Sequence, residues 1–295
     1  MNDKRIFALG FFDGVHLGHQ ALLNICCRLA KERGFQAAAA SFDIAPGAVL
    51  QKQPPRMINT AEDRVELLRQ YGIGPIYLYK ADEKTLNWSW QQFLEDLLQK
   101  GAAGFVCGND YRFGKGGEGN AVVLEAFCKE RGLPCEVLPE QTLDGSRISS
   151  TRIRSLLEEG QVQQANRLLG HPHILTGTVV PGKQLGRTIG IPTANLNLPS
   201  ELLVPKFGVY ICRALADGIW YPAVTNIGTR PTVSGTGITV EPWILDYSGD
   251  LYGKELRLEF HSFLRPETKF PGLAELQAEI RKNAEQTRKF FEKSE

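Results

Sequence analysis

The chain has little of what marks membrane-embedded, secreted or nucleic-acid-binding proteins. No apolar run approaches the roughly 20 residues needed to cross a bilayer. Met1-Asn2-Asp3-Lys4-Arg5 leads into only a few apolar residues before Asp13, too few for a signal-peptide core. A cytoplasmic protein with no membrane partner is therefore expected. The six cysteines, at 26, 27, 107, 128, 135 and 212, form no Cys-x-x-Cys pair and no histidine-partnered spacing. Neither a zinc site nor a disulfide framework is indicated, and the thiols read as reduced core filler. An excess of one charge is also missing, since 34 Lys and Arg face 33 Asp and Glu for a formal net charge of +1. No global field attracts nucleic acid or anionic lipid, so any polyanion site must be local.

What is present suits a globular protein of two ordinary domains: 295 residues, 42% hydrophobic and 23% charged. Near the start, Ile6 to Phe12 reads as a buried strand. Gly14 and Gly18 permit a tight turn, and Gln20 to Lys31 reads as an amphipathic helix. Strand, glycine turn and helix make a phosphate-binding arrangement, because the helix start offers unpaired N–H groups and the positive end of its dipole. His16 and His19 add ring donors at the same spot.

The strand-helix alternation continues. Strands are expected near Phe35 to Phe42, Pro75 to Tyr79, Gly104 to Cys107 and Cys135 to Leu138. Helices are expected over Ala61 to Tyr71, Trp88 to Lys100, Gly119 to Arg131, from Ile148 onward, and over Gln161 to Leu169. This pattern predicts an open parallel sheet covered by helices, with ligands beyond the carboxyl ends of its strands. After Gly170-His171-Pro172-His173 the texture changes to short β-rich runs separated by glycine and proline: Ile174 to Val180, Gly208 to Ala216, Tyr221 to Asn226, Ile238 to Leu245 and Glu255 to Phe263. A small antiparallel barrel is expected, closed by a helix whose stripe is Leu273, Leu276, Ile280, Ala284, Thr287 and Phe291.

Gly10-Phe11-Phe12-Asp13-Gly14-Val15-His16-Leu17-Gly18-His19 contains the His-x-Gly-His signature of nucleotidylyltransferases. In its full length it resembles the adenylyltransferase half of bacterial bifunctional riboflavin kinase/FAD synthetases. The resemblance implies an ATP-phosphate site lined by Gly10, Phe11, Asp13, Gly14 and Gly18, with His16 and His19 as catalytic contacts. Ile148-Ser149-Ser150-Thr151-Arg152-Ile153-Arg154 resembles the second signature of that fold. By it, Ser149, Ser150, Thr151 and Arg152 hold the β- and γ-phosphates, and Arg154 steadies the leaving pyrophosphate. Asp110 and Phe113, in Gly108-Asn109-Asp110-Tyr111-Arg112-Phe113-Gly114, are implied on the flavin side. One departure stands out: the family's Thr-Phe-Asp-Pro-His-Pro is here Ser41-Phe42-Asp43-Ile44-Ala45-Pro46, so Ala45 replaces a histidine.

The second half resembles riboflavin kinases. Gly177 to Arg187 is not a Walker loop, because no Gly-Lys-Ser/Thr follows four spacer residues. By resemblance Gly182, Lys183, Gly186 and Arg187 approach the ATP phosphates. Thr193 and Asn195, in the hallmark Pro192-Thr193-Ala194-Asn195, supply oxygens for Mg²⁺. Glu241 matches the family's general base. Asn226, in the hydrogen-bond-rich loop expected over Val224 to Thr232, and Arg265, in Leu264-Arg265-Pro266-Glu267-Thr268-Lys269-Phe270, match flavin contacts. Trp243, Pro181 and Leu185 stand where the family usually has histidine, histidine and arginine.

The resemblance covers nearly the whole chain. It implies an α/β protein: an N-terminal, Rossmann-like nucleotidylyltransferase domain (1–170), then a small antiparallel β-barrel kinase domain with a C-terminal helix (171–295). The implied activity is phosphorylation of riboflavin to FMN by ATP, then adenylylation of FMN to FAD with release of pyrophosphate. ATP, riboflavin, FMN and Mg²⁺ are the small molecules required, and the oligomeric state is open. A competing expectation is a flavin- or nucleotide-sensing paralogue that keeps only the kinase activity, motivated by Ala45. An RNA-binding barrel is disfavoured, because the chain lacks a basic aromatic stripe.

Overall fold

The structure is a computed structural model. It describes residues 4–47, 55–182, 186, 190–232 and 235–293, and only the backbone of residues 230–232, 235 and 236. The chain divides into two compact units, Met1–Ser150 and Thr151–Glu295.

In the first unit five parallel strands take the order β3-β2-β1-β4-β7. They are β1 (Arg5–Leu9), β2 (Gln36–Phe42), β3 (Ile76–Tyr79), β4 (Ala102–Gly108) and β7 (Cys135–Leu138). Successive strands move one way from β1 to β3 and the other way from β4 to β7, which makes the β1/β4 boundary the topological switch point. The sheet is covered by α1 (Leu17–Arg33), α2 (Ala61–Gln70), the single turn α3 (Glu83–Leu86), α4 (Trp90–Gln99) and α5 (Ala121–Arg131). Phe7, Leu9 and Phe105 point into one core with Phe93, Leu94 and Leu97 of α4 and Leu124 and Phe127 of α5. Burying each such side chain contributes about 1.5–3 kcal/mol.

Several details differ from the expectations. β1 stops at Leu9 rather than Phe12, because Phe12 lies at φ 59°, which no strand residue adopts. The first helix starts at Leu17, three residues before Gln20, because His16 is its N-cap. Two small hairpins were not foreseen: β5 (Arg112–Phe113) with β6 (Gly119–Asn120), and β8 (Thr142–Leu143) with β9 (Ser146–Arg147). Asn120 caps α5 through its side chain, so Gly119 falls outside the helix.

α6 (Ser150–Glu158) and α7 (Val162–Leu169) precede the barrel, and Gly170 ends α7 in the left-handed conformation. Six antiparallel strands close in the order β10-β11-β14-β13-β12-β15. These are β10 (His173–Val180), β11 (Asn195–Asn197), β12 (Gly208–Ala216), β13 (Ile219–Thr232), β14 (Gly235–Ile244) and β15 (Glu255–Arg265). Closure leaves no exposed edge to template aggregation. Tyr210, Cys212, Leu256, Leu258 and Phe260 are fully buried inside. Asn166 of α7 ties that helix to the barrel: its Nδ2 donates to the Phe260 carbonyl (2.8 Å), and its Oδ1 accepts the His173 N–H (2.8 Å). The expected loop over Val224 to Thr232 is instead strand, since β13 pairs with β14 without a break from Ala223↔Ile244 to Thr232↔Gly235. β11 was missed, being only three residues long. The closing helix α8 (Leu273–Glu292) buries Ala284, Thr287 and Phe291.

Candidate active sites

The first site is the turn from β1 to α1. Phe12 (φ 59°) and Val15 (φ 38°) both hold left-handed backbone that costs energy in a non-glycine residue, and the surrounding contacts fix it. The Asp13 carboxylate accepts the N–H groups of Ile58 (2.9 Å) and Asn59 (3.3 Å), and the Asp13 carbonyl accepts the Ser150 hydroxyl (2.8 Å). His16 Nδ1 accepts the His19 N–H at 3.3 Å, and the two rings stack with centroids 3.7 Å apart at 11°. A Cβ on Gly18 would sit 3.2 Å from the His16 ring, so glycine between the histidines keeps the stack closed. Burial, then the neighbouring His16, then Arg64 lower the His19 pKa well below its ordinary value. The ring is thus neutral near pH 7 and ready to donate or accept a hydrogen bond.

Arg64, on α2, was not foreseen. It is fully buried, lies 4.3 Å from the Phe11 ring centroid, and donates from Nη2 to the carbonyls of Phe42 (2.6 Å) and Asp43 (2.9 Å). The one available signal is its register, because 64, 67, 68 and 71 form a helical stripe with Leu67, Leu68 and Tyr71. The loop bearing Ala45 is held by Asp43, whose Oδ1 accepts the N–H groups of Ile44 and Ala81, both at 2.8 Å.

Gly10 and Phe11 follow β1 directly, at the switch point, and Gly14 lies within the turn. Beyond β4, Asp110 is ion-paired with Arg147 of the β8–β9 hairpin, which also reaches Glu140 at 2.8 Å. Phe113 is buried in the core, stacked on Tyr111. Ser149 precedes α6, which begins at Ser150. Thr151 on that helix is exposed, and Arg152 and Arg154 are half-buried.

The second site is built by strand register. Asn226 of β13 and Glu241 of β14 are directly paired, and Leu196 of β11 pairs with Val240 next to Glu241. The Ala194 N–H donates to the Pro242 carbonyl at 2.9 Å, seating Pro192-Thr193-Ala194-Asn195 against β14. Two cavities, of about 420 and 400 Å³, meet at Thr193, which lines both. One is walled by Pro192, Tyr247, Asp250 and Tyr252. The other holds Glu241, Asn226, Trp243, Arg265, Phe270 and the upper α8 residues Leu276 and Ile280. Arg265 is steadied there by the buried Asn283, whose Oδ1 accepts its Nε–H at 3.1 Å.

The donors fit a magnesium–nucleotide complex. A Cβ on Gly182 would overlap the Asn195 amide, and one on Gly186 would overlap the Ile191 carbonyl and lie 3.5 Å from Thr193 Oγ1. Glycine at both positions therefore lets bare backbone approach the Asn195 amide and the Ile191 carbonyl beside Thr193, whose hydroxyl, with the Asn195 amide oxygen, is a neutral oxygen of the kind a hard cation takes when phosphate balances its charge. Lys183, Leu185 and Arg187 lie outside the described residues.

Comparison with known proteins matches the same two halves. A riboflavin kinase family model matches residues 169–291, and an FAD synthetase family model matches residues 1–152. The bifunctional riboflavin kinase/FMN adenylyltransferase of Listeria monocytogenes is 36% identical over 99% of this chain and 94% of its own length. The chain belongs to that family. The members from Bacillus subtilis (34% identical, 98% of this chain and 93% of theirs) and Escherichia coli K12 (36%, 97% and 92%) agree. A crystal structure described as a macrolide-efflux protein of Streptococcus pneumoniae superposes with a TM-score of 0.86 at 29% identity, covering 97% of this chain and 94% of that one. Among the described residues of this family member, no helix is long and apolar enough to cross a membrane.

Proposed function

We propose that this chain makes FMN from riboflavin and ATP in its barrel, then FAD from FMN and ATP on its parallel sheet. The observation that carries the reading is the meeting of two cavities at Thr193 with Glu241 in one of them. A nucleotide in the tyrosine-walled cavity and a flavin in the other place the γ-phosphorus and the 5′-hydroxyl on either side of Thr193. Glu241 takes the hydroxyl proton as its oxygen attacks phosphorus, and ADP departs. Thr193 and Asn195 would hold Mg²⁺, which when bound neutralises charge on the phosphates. Asn226 and Arg265 orient the flavin, and Gly182 and Gly186 approach the phosphates.

On the sheet, an FMN phosphate oxygen attacks the α-phosphorus and pyrophosphate leaves, with no covalent enzyme intermediate. Gly10, Phe11, Asp13, Gly14 and Gly18 shape the turn. His16, His19, Ser149, Ser150, Thr151, Arg152 and Arg154 meet the phosphates, and Asp110 and Phe113 lie toward the flavin. Positioning and charge supply most of the catalysis. The functional division falls near residue 170, with work in the cytoplasm. The test is a time course with riboflavin, ATP and Mg²⁺ that resolves FMN from FAD. FMN followed by FAD supports the reading, whereas FMN alone favours the sensing paralogue. A fragment starting near Ala165 should form FMN by itself; a folded fragment that binds flavin without turnover would count against the division.

A further inference from the structure

Among the described residues Arg64 is the largest fully buried side chain, yet only one of its guanidinium nitrogens is accounted for. Nη2 serves the Phe42 and Asp43 carbonyls, while among the described residues Nε and Nη1 have no hydrogen-bond partner. For packing alone this is a poor choice. Residue 64 lies on the same helical stripe as Leu67 and Leu68, and an aliphatic residue there would bury no charge and strand no N–H group.

What the arginine touches is the phosphate turn. Its guanidinium lies over Phe11, directly after β1, and its Nη2 alone bridges the two carbonyls at the end of β2, which leads into the Ala45 loop. Asp13, Asp43 and Glu62 act on it as counter-charges. One group thus joins three segments: the turn after β1, the end of β2, and α2.

We propose that Arg64 is a positioning residue for adenylyl transfer, fixing the Phe11 side of the phosphate turn to the end of β2 and lending the His16–His19 pair a desolvated positive charge. The inference rests on the adenylyltransferase reading of the first half. The cation needs no contact with the nucleotide, because in a water-poor site its field acts at a distance. It is also one of the groups that keeps His19 neutral, together with burial and His16.

The test uses the full chain as wild type, Arg64→Lys and Arg64→Met. FAD formation from FMN and ATP is measured from pH 5 to 9, with FMN formation and thermal unfolding in the same preparations. Arg64→Met should lower kcat/KM for FAD formation about 100-fold while FMN formation stays at the wild-type rate. Its acid limb should move to higher pH, because His19 then protonates more readily. Arg64→Lys keeps the charge and loses the planar guanidinium over Phe11. It should lose about tenfold, mainly in kcat, with the acid limb in place. Arg64→Met that unfolds with wild type and makes FAD within threefold of its rate overturns the proposal. So does an acid limb that stays put in Arg64→Met. If Arg64→Met does not fold, Arg64→Lys decides, and a wild-type rate there overturns the proposal too. A wild-type chain that forms FMN but no FAD defeats the adenylyltransferase reading itself, before any variant is compared.

Discussion

In the first unit the candidate phosphate site is centred on a run of neighbouring residues on a strained turn between β1 and α1, with Ser150 bonded to it from the start of α6. In the barrel, Thr193 and Asn195 of one segment, Asn226 of a second and Glu241 of a third are brought together through strand pairing. The two constructions fail differently. A turn held by Asp13, Arg64 and stacked imidazoles is sensitive to charge and protonation. A site held by register is sensitive to whichever side chain does the chemistry, while its backbone frame persists. Exchanging the products of the two halves by mutation is the direct way to examine this contrast.

The largest effect is expected at the turn. His16→Ala or His19→Ala removes a hydrogen-bonding ring and opens the stack beside Gly18. FAD formation should drop by about 10³-fold, the scale for losing preorganised electrostatic contacts. FMN should accumulate at an unchanged rate, as product chromatography would show. Equal loss of both products would mean the two sites are not separable. Glu241→Gln sharpens the comparison from the other side. It keeps the β13–β14 pairing and removes the proton acceptor, so kcat for FMN formation should fall by about 10²-fold or more with little change in riboflavin KM. Adenylylation of supplied FMN should continue. A parallel loss of flavin affinity would make Glu241 a binding residue instead.

Acid should destabilise the barrel. His173 is fully buried on β10, and among the described residues neither ring nitrogen has a partner. Burial first, then His171, lower its pKa to about 3. An unfolded imidazole titrates near 6.5. Above that pH neither state takes up a proton, whereas between 6.5 and 3 only the unfolded chain does, so stability falls as pH falls. The slope from this group is about 1.4 kcal/mol per pH unit. His173→Phe should flatten the acid dependence of barrel unfolding, measured by thermal denaturation from pH 7 to 5. An unchanged slope would remove His173 as its source.

How far the sequence revealed each site follows from the same contrast. The turn was legible because its residues are adjacent, and strand, glycine and helix signals bracket them. The β13 segment was misread as a loop after Asn226 because glycine, proline and polar residues are poor strand formers in isolation, and pairing with β14 overrides that preference. Along α8 the apolar stripe was read as packing throughout. In fact Ala284, Thr287 and Phe291 pack, whereas Leu273 is 68% exposed and lines a cavity together with Leu276 and Ile280. Periodicity reports which face is apolar, not what that face meets. Arg64 escaped notice for the opposite reason: charge suggested solvent, and only its place on the Leu67–Leu68 stripe argued otherwise.

The smallest expected effect concerns Ala45, where the family usually has a histidine. The residue is half-buried, on a loop whose backbone is already fixed by the Asp43 carboxylate and Arg64 Nη2. Adding an imidazole there need not reorganise the loop. Ala45→His should therefore add one hydrogen bond to phosphate, and a half-buried position leaves it partly screened by water. A gain of about 1 kcal/mol, roughly fivefold in kcat/KM for FAD formation, is the expected size. FMN formation should be unaffected. If Arg64 supplies the positive charge on this side of the turn, the gain should be larger in Arg64→Met, where the charge is gone, than in wild type. Equal gains in both backgrounds would show that the two positions act independently. No gain in either would place Ala45 away from the phosphates, and the missing histidine would then carry no cost for this member of the family.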